Sequence, residues 1–323
     1  RPEPEVLDQG PIDVCSDEAI DVILNKNTTT SISVDKYIID KYTYNGVIVT
    51  TGTATIADGI LSDDGYTNTS NSPLSVVYTI VPISIQGVEE VAGKSFTVTV
   101  TINPAPKVAN QGPIEVCSGE EVGVNFNAST SIAAATYNII GFDSGVLTEV
   151  FGDPGIGTGL SPADLSDDSF INETGAPVDV VYTVVPVSSA GCEGASFTVT
   201  VTVNPAPVGV YQEKTVNSGI PIRVTLGAAT GSTPISSYRI RDIDSPGLTP
   251  GSGNKAIGDV IGSNGIFNDT FINKTFSDVD VIYTLLPISK EVSCEGEVFT
   301  VRVTIRPEPE VLDQGPIDVC SDE

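Results

Sequence analysis

The sequence predicts an all-β protein made of tandem β-sandwich domains strung into an elongated array. Three observations carry this reading. A unit of about 100 residues recurs along the chain. Each copy closes on an alternating run such as Phe197-Thr198-Val199-Thr200-Val201-Thr202-Val203. Short proline-rich segments separate the copies.

The repeat is legible at three places in each unit. EVLDQGPIDVCSDEAIDV, KVANQGPIEVCSGEEVGV and VGVYQEKTVNSGIPIRV open the three copies. SVVYTIVPIS, DVVYTVVPVS and DVIYTLLPIS lie near their ends, which aligns Tyr78 with Tyr182 and Tyr283, and Pro82 with Pro186 and Pro287. SFTVTVTI, SFTVTVTV and VFTVRVTI close them. The expected domains are therefore 1–102, 103–203 and 204–305 (units 1, 2 and 3). Residues 306–323 begin a further copy, identical to residues 1–18. Identity over that stretch, beside diverged internal copies, says that the 305-residue triplet was itself duplicated. The opening Arg1-Pro2-Glu3-Pro4 reads as a start inside a longer protein.

Asn103-Pro104-Ala105-Pro106, Asn204-Pro205-Ala206-Pro207 and Arg306-Pro307-Glu308-Pro309 join the units. Two prolines in four residues hold φ near −65° and favour extended polyproline II, so these are short, stiff linkers. Within a unit, the closing run alternates valine and threonine, the pattern of a half-buried antiparallel strand. Asp179–Val185 is a second, more apolar strand that Pro186 stops. Turn clusters such as Ser118-Gly119 and Ala190-Gly191-Cys192-Glu193-Gly194 punctuate the unit, and no stretch has a helical period with caps. About seven short strands per ~100 residues favour an immunoglobulin-like sandwich, with a barrel as the competing arrangement.

Composition excludes several functions. The chain has no His, Met or Trp, and 42 Asp and Glu against 15 Lys and Arg give a net charge of −27. Without His there is no Ser-His-Asp or Cys-His catalysis and no imidazole metal site. No catalytic residue, metal or cofactor is expected. An acidic surface repels phosphate backbones, so nucleic acid is not a partner, and no apolar run is long enough for membrane insertion.

The five cysteines fall at two repeat positions. Cys15, Cys117 and Cys320 precede the first tight turn, where unit 3 has Asn217. Cys192 and Cys294 precede the last strand, where unit 1 has Val88. Without His or CxxC spacing these are not zinc ligands, and disulfides formed in an oxidising compartment are expected. An odd number of alternating strands places the first turn at the downstream pole of a unit and the last hairpin at its upstream pole. Pairing within a unit would join Cys117 to Cys192 and strand Cys15 and Cys294. The opposite junction rule satisfies only Cys294 with Cys320. Pairing the downstream pole of one unit with the upstream pole of the next joins Cys15 to Cys192 and Cys117 to Cys294, and leaves only Cys320 awaiting a partner beyond the fragment. Two of every three joints are then locked, and the third is left as a hinge.

Three polar recurrences are read as structural. Asp63-Asp64, Asp167-Asp168 and Asp269 sit at equivalent turns without the spacing of a calcium loop, and a solvated or turn-capping role is expected. Asn68, Asn172 and Asn273 each open an N-x-S/T triplet and are expected to hydrogen-bond at a strand end. Tyr37, Tyr137 and Tyr238 are expected to pack in the core or along an edge, and no aromatic binding patch stands out.

The string VVYTVVPVSSAGCEGASFTVTVTVNPAP resembles the PKD-like (Ig-like) repeats of giant surface adhesins of Bacteroidetes. The resemblance covers the whole chain and is carried by the VxYTxxP segment and the NPAP junction. It implies export by the type IX route, a filament on the bacterial cell surface, and a role in attachment or gliding motility. Asn217 and Val88 depart from the cysteine pattern, so no uniform disulfide rule follows from it. The expected function is a non-enzymatic extracellular stalk. Its partners are neighbouring repeats, with surface polysaccharide or substratum and the motility machinery engaged through other regions. The rivals are a ligand- or glycan-binding repeat module and an accessory region of a secreted hydrolase.

Overall fold

A computed structural model of the chain describes residues 1–24, 32–49, 54–63, 65–126, 131–152, 155–309 and 315. The described residues contain strands and turns but no helix, and so none long and apolar enough to cross a membrane. The fold is all-β: immunoglobulin-like sandwiches in tandem, with three separate apolar cores succeeding one another along the chain.

Each unit is built on one main sheet. In unit 2 its order is Gln111–Cys117, Phe197–Asn204, Val178–Val187, Thr136–Asp143 and Gly157–Leu160. Units 1 and 3 repeat the first four positions with Gln9–Cys15, Phe96–Asn103, Leu74–Gln86 and Lys36–Tyr44, and with Gln212–Asn217, Phe299–Arg306, Val279–Ser289 and Ile235–Asp244. The alternation read from sequence is the burial pattern of the two central strands. Val199 and Val201 are fully buried opposite Tyr182 and Val180, and Val203 is fully buried opposite Val178, while the intervening threonines reach the outer face. Unit 3 does the same with Val301, Val303 and Ile305 opposite Tyr283, Val281 and Val279.

The first strand runs parallel to the last, and this places the cysteines. Cys15 lies in register with Asn103, Cys117 with Asn204, and Asn217 with Arg306. The turn after the first strand therefore sits at the pole where the chain leaves the unit.

The second layer differs between units. In unit 1, Ile20–Ile23, Ile60–Asp63 and Thr55–Ala57 form an antiparallel three-stranded sheet. In unit 2 the corresponding segment donates from Val122, Gly123 and Phe126 to the carbonyls of Asp168, Ser166 and Pro162. Those acceptors belong to consecutive turns over residues 161–168. The turns replace a strand because Pro162 has no N–H, and because the Asp164 carboxylate accepts from both the backbone and the hydroxyl of Ser161. Unit 3 repeats the arrangement, with Ile222, Arg223 and Leu226 donating to Asp269, Phe267 and Ser263.

The linkers are packed. Asn103, Pro104 and Pro106 are buried, as are Asn204, Pro205 and Pro207. Each linker meets a glycine of the unit it leads into. A Cβ at Gly194 would stand 1.9 Å from the Pro106 carbonyl oxygen, one at Gly296 1.8 Å from that of Pro207, and one at Gly93 1.8 Å from that of Pro4. The same glycines donate their N–H to the carbonyls of Pro186, Pro287 and Pro82. The recurring VxYTxxP proline, the loop glycine and the linker proline are thus one packed set.

Candidate functional site at the joints between units

The features that distinguish this chain from three unconnected sandwiches lie at the joints. Cys15, at the end of its strand and half-buried, is bonded to Cys192, with Cα atoms 5.3 Å apart. Cys117 is bonded to Cys294 with a Cα separation of 5.5 Å. Cys192 and Cys294 are fully buried, each in a turn closed by its own neighbours. Ser188 Oγ accepts from Cys192 N at 3.1 Å, and Ser289 Oγ accepts from Cys294 N at 2.9 Å. On the other side of each joint, Ser16 N donates to Asn103 O and Ser118 N donates to Asn204 O, both at 2.8 Å, pinning the cysteine turn to the linker. Asn217 is exposed, and Val88 is fully exposed at the tip of the hairpin formed by Leu74–Gln86 and Glu89–Ala92. Cys320 lies outside the described residues.

The N-x-S/T asparagines buttress the same pole, as hydrogen-bonding residues at a strand end. Asn172 Nδ2 donates to Ala176 O at 2.9 Å and to Val203 O at 2.7 Å, while its Oδ1 accepts from the N and Oγ1 of Thr174. Its own N–H reaches Ser118 Oγ, next to Cys117. Asn68 and Asn273 repeat these bonds with Ser16 and Ser218. All three are buried, so every polar atom of the amide is spent inside the fold.

Between units 2 and 3 the backbones come close enough to exclude a side chain. A Cβ on Gly175 would lie 2.4 Å from the carbonyl oxygen of Gly231. Beside this contact is an open cleft of about 620 Å³, walled by Ile171, Glu173 and Thr174 on one side and by Thr230, Gly231 and Glu295 on the other.

The structure corrects the reading of the aspartates. Asp168 and Asp269 are buried, not solvated. Asp168 accepts from the Tyr182 hydroxyl at 2.8 Å, and Asp269 accepts from the Tyr283 hydroxyl at 2.7 Å. Burial first, then the neighbouring carboxylate, holds both phenols far above the usual tyrosine range. Burial also raises the Asp269 pKa, against the Tyr283 and Lys255 N–H hydrogen bonds that lower it. In sequence the pair is visible only as an aspartate recurring 14 residues before the VxYTxxP tyrosine. Asp64 lies outside the described residues, as does the side chain of Asp63; in unit 1, Tyr78 donates to the Tyr66 hydroxyl at 3.1 Å. Among the described residues no three or more His, Cys, Asp or Glu gather as metal ligands would.

Tyr37, Tyr137 and Tyr238 are core residues. A second correction concerns aromatic exposure. Tyr42 and Tyr44, on one face of Lys36–Tyr44, are 40% and 47% exposed with ring centroids 6.2 Å apart.

A family model described as a PKD-like domain matches residues 12–106, 114–207 and 252–309. No curated protein matches the chain. Solved structures with similar folds include the human desmocollin-1 ectodomain (10% identity, 78% of this chain and 51% of that one, TM-score 0.29). They also include the chicken CNTN1 FN1-FN3 domains (12% identity, 94% and 98%, TM-score 0.32) and mouse cadherin-23 EC22-24 (12% identity, 95% and 99%, TM-score 0.23). The chain spans about half the length of the desmocollin-1 chain.

Proposed function

Because the chain belongs to the PKD-like domain family, we propose that it is a non-enzymatic stalk segment of a long extracellular adhesin on a bacterial cell surface. In this reading the array holds a distal adhesive region away from the cell and serves attachment or gliding motility after export by the type IX route. Neighbouring repeats are its direct partners. Surface polysaccharide or substratum would be engaged by the distal region, and the motility machinery by other parts of the protein.

The observation that supports it is the joint. A disulfide and a buried proline linker act together at both joints, which fixes the orientation of one sandwich on the next. A single polypeptide linker would leave that orientation free. The disulfides also suit a protein that matures in an oxidising compartment, and the −27 charge keeps long arrays from associating. Small-angle scattering tests the stalk. We expect a radius of gyration far above the ~20 Å of a 323-residue compact domain. A value near that figure, in the oxidised protein, would remove the stalk reading. One observation favours a ligand- or glycan-binding module instead: the half-exposed Tyr42 and Tyr44 pair has Phe142 and Ser144 as its unit 2 counterparts. Glycan-array binding that Tyr42→Ala and Tyr44→Ala abolish would establish it.

A further inference from the structure

Arg306-Pro307-Glu308-Pro309 repeats Arg1-Pro2-Glu3-Pro4, so the structure shows one linker twice: leaving unit 3 and entering unit 1. Leaving unit 3, its first carbonyl, Arg306 O, accepts from Ser218 N at 3.0 Å. Glu308 N donates to Asn273 O, and the Glu308 carboxylate accepts from Ser218 Oγ, both at 3.3 Å. Entering unit 1, its fourth carbonyl, Pro4 O, packs on Gly93. Pro2 O accepts from Gln86 Nε2 at 2.9 Å, and the Arg1 side chain pairs with Glu89. The two sets use different atoms of the tetrapeptide, so one linker can satisfy both at once. Both complete joints do this with the same two anchors. Asn103 O meets Ser16 and Pro106 O meets Gly194; Asn204 O meets Ser118 and Pro207 O meets Gly296. The third joint therefore has both halves of the packing that orients the first two.

The hairpin register sets what stands in place of its disulfide. Ser188 N and Ser289 N donate to the carbonyls of Cys192 and Cys294, each two residues before the glycine that meets the linker. In unit 1, Ser84 pairs with Val91, two residues before Gly93. Val91 thus holds the cysteine's place and Val88 lies beyond it, which corrects the alignment of Val88 with the cysteines. The extra residues carry the hairpin along the linker as far as its first residue, where Glu89 meets Arg1. The Asp35 carboxylate braces it by accepting from Ile85 N at 2.6 Å, as does Lys36 by pairing with Glu90 at 2.5 Å. On the facing pole, Asn217 lies in register with Arg306, the counterpart of Arg1. Asn217, Ser218, Arg306 and Pro307 line an open hollow of about 420 Å³ there.

Resting on the array reading above, we propose that the downstream pole of unit 3 is the docking surface for the hairpin of the unit-1 copy that follows it. Val91 of that copy sits against Asn217, and its Glu89 pairs with Arg306. The longer hairpin supplies by contact what the cysteines supply by a covalent bond. The third joint is then oriented like the first two, and it can part and re-form with no change of redox state.

The test uses a chain in which Ile305 is followed by a second copy of residues 1–102, with Cys15→Ser in that copy to remove its unpaired thiol. Asn217→Cys is combined with either Val91→Cys or Val88→Cys in the added copy. A disulfide needs Cα atoms within ~7 Å. We expect the Val91 pair to oxidise in air and the Val88 pair to do so several-fold more slowly, read by non-reducing peptide mapping. Equal rates mean a free hinge and overturn the proposal, as does failure of both pairs to oxidise. A faster Val88 pair overturns the assigned contact. The unsubstituted chain gives a second readout. Hydrogen exchange in the unit 3 peptide 212–220 should slow several-fold relative to the 323-residue chain, and unchanged exchange overturns the docking. None of these outcomes touches the two native disulfides or the scattering of residues 1–305, so the stalk reading is tested separately.

Discussion

Inside unit 3 the Tyr283 hydroxyl donates to the Asp269 carboxylate, and the same carboxylate accepts from Lys255 N at the head of the loop that crosses it. A buried carboxylate with too few donors is costly, so the tyrosine has a task beyond filling space. Tyr283→Phe leaves the ring but removes the donor. We expect a loss of about 1–3 kcal/mol in the urea stability of unit 3. Asp269→Asn acts differently. An acid whose pKa is higher in the folded than in the unfolded chain binds its proton more tightly when folded. Its stabilisation is complete below the ordinary carboxylate range, about pH 4, and is lost as pH rises through the raised value. We therefore expect the wild type to lose stability with rising pH in this window and Asp269→Asn to flatten that fall, seen in melting curves taken across it. Because Asp168 and Asp269 are engaged by tyrosines, a chelator should leave those melting curves unchanged. A calcium-reversible drop would make them metal ligands.

At the scale of the element, the joint depends on glycines that the loops before the last strands present to the linkers. Gly194→Ala drives a methyl group into the Pro106 carbonyl and should cost about 1–3 kcal/mol of packing. Limited proteolysis should then cut the linker over residues 103–106 in a chain whose wild type resists. The strands themselves were legible in the sequence, because a period of two has one structural meaning when valine and threonine alternate over seven residues. The cysteine turns were legible through a different logic: a position present or absent in each unit constrains what it can face. The second layer of unit 2 was not legible, since Pro162 and the Ser161–Asp164 bonds turn a segment that unit 1 keeps as a strand; unit 3 turns the same segment through Gly262 and Asn264 carbonyls that accept from Gly265 and Phe267. The Asp168–Tyr182 pair escaped for a related reason. An aspartate beside serine in a turn looks solvated until the fold closes a sheet over it. Buried linkers were equally hidden, because proline spacing predicts an extended backbone but not what packs on it.

Taken whole, the molecule exposes 17547 Å², where a compact protein of 33.6 kDa exposes about 12,700 Å². The excess is what three separately packed cores expose in place of one. Its acidic charge is uneven, at −9, −11 and −2 for units 1, 2 and 3. The disulfides also overlap along the chain: Cys117 lies inside the loop closed by Cys15 and Cys192, and Cys192 inside the loop closed by Cys117 and Cys294. A pull on the two ends does not follow the polypeptide. It leaves the backbone at Cys15, re-enters at Cys192, travels backward to Cys117, and crosses to Cys294. Only about 120 of the 323 residues carry tension on that route. At ~3.5 Å per residue, fully unravelling the oxidised chain yields about 420 Å, against about 1,130 Å after reduction. Force spectroscopy with and without reductant should show this difference in final contour length. A stretched array would thus pay out little slack even when its sandwiches unfold, with unit 2 drawn against its own direction of synthesis.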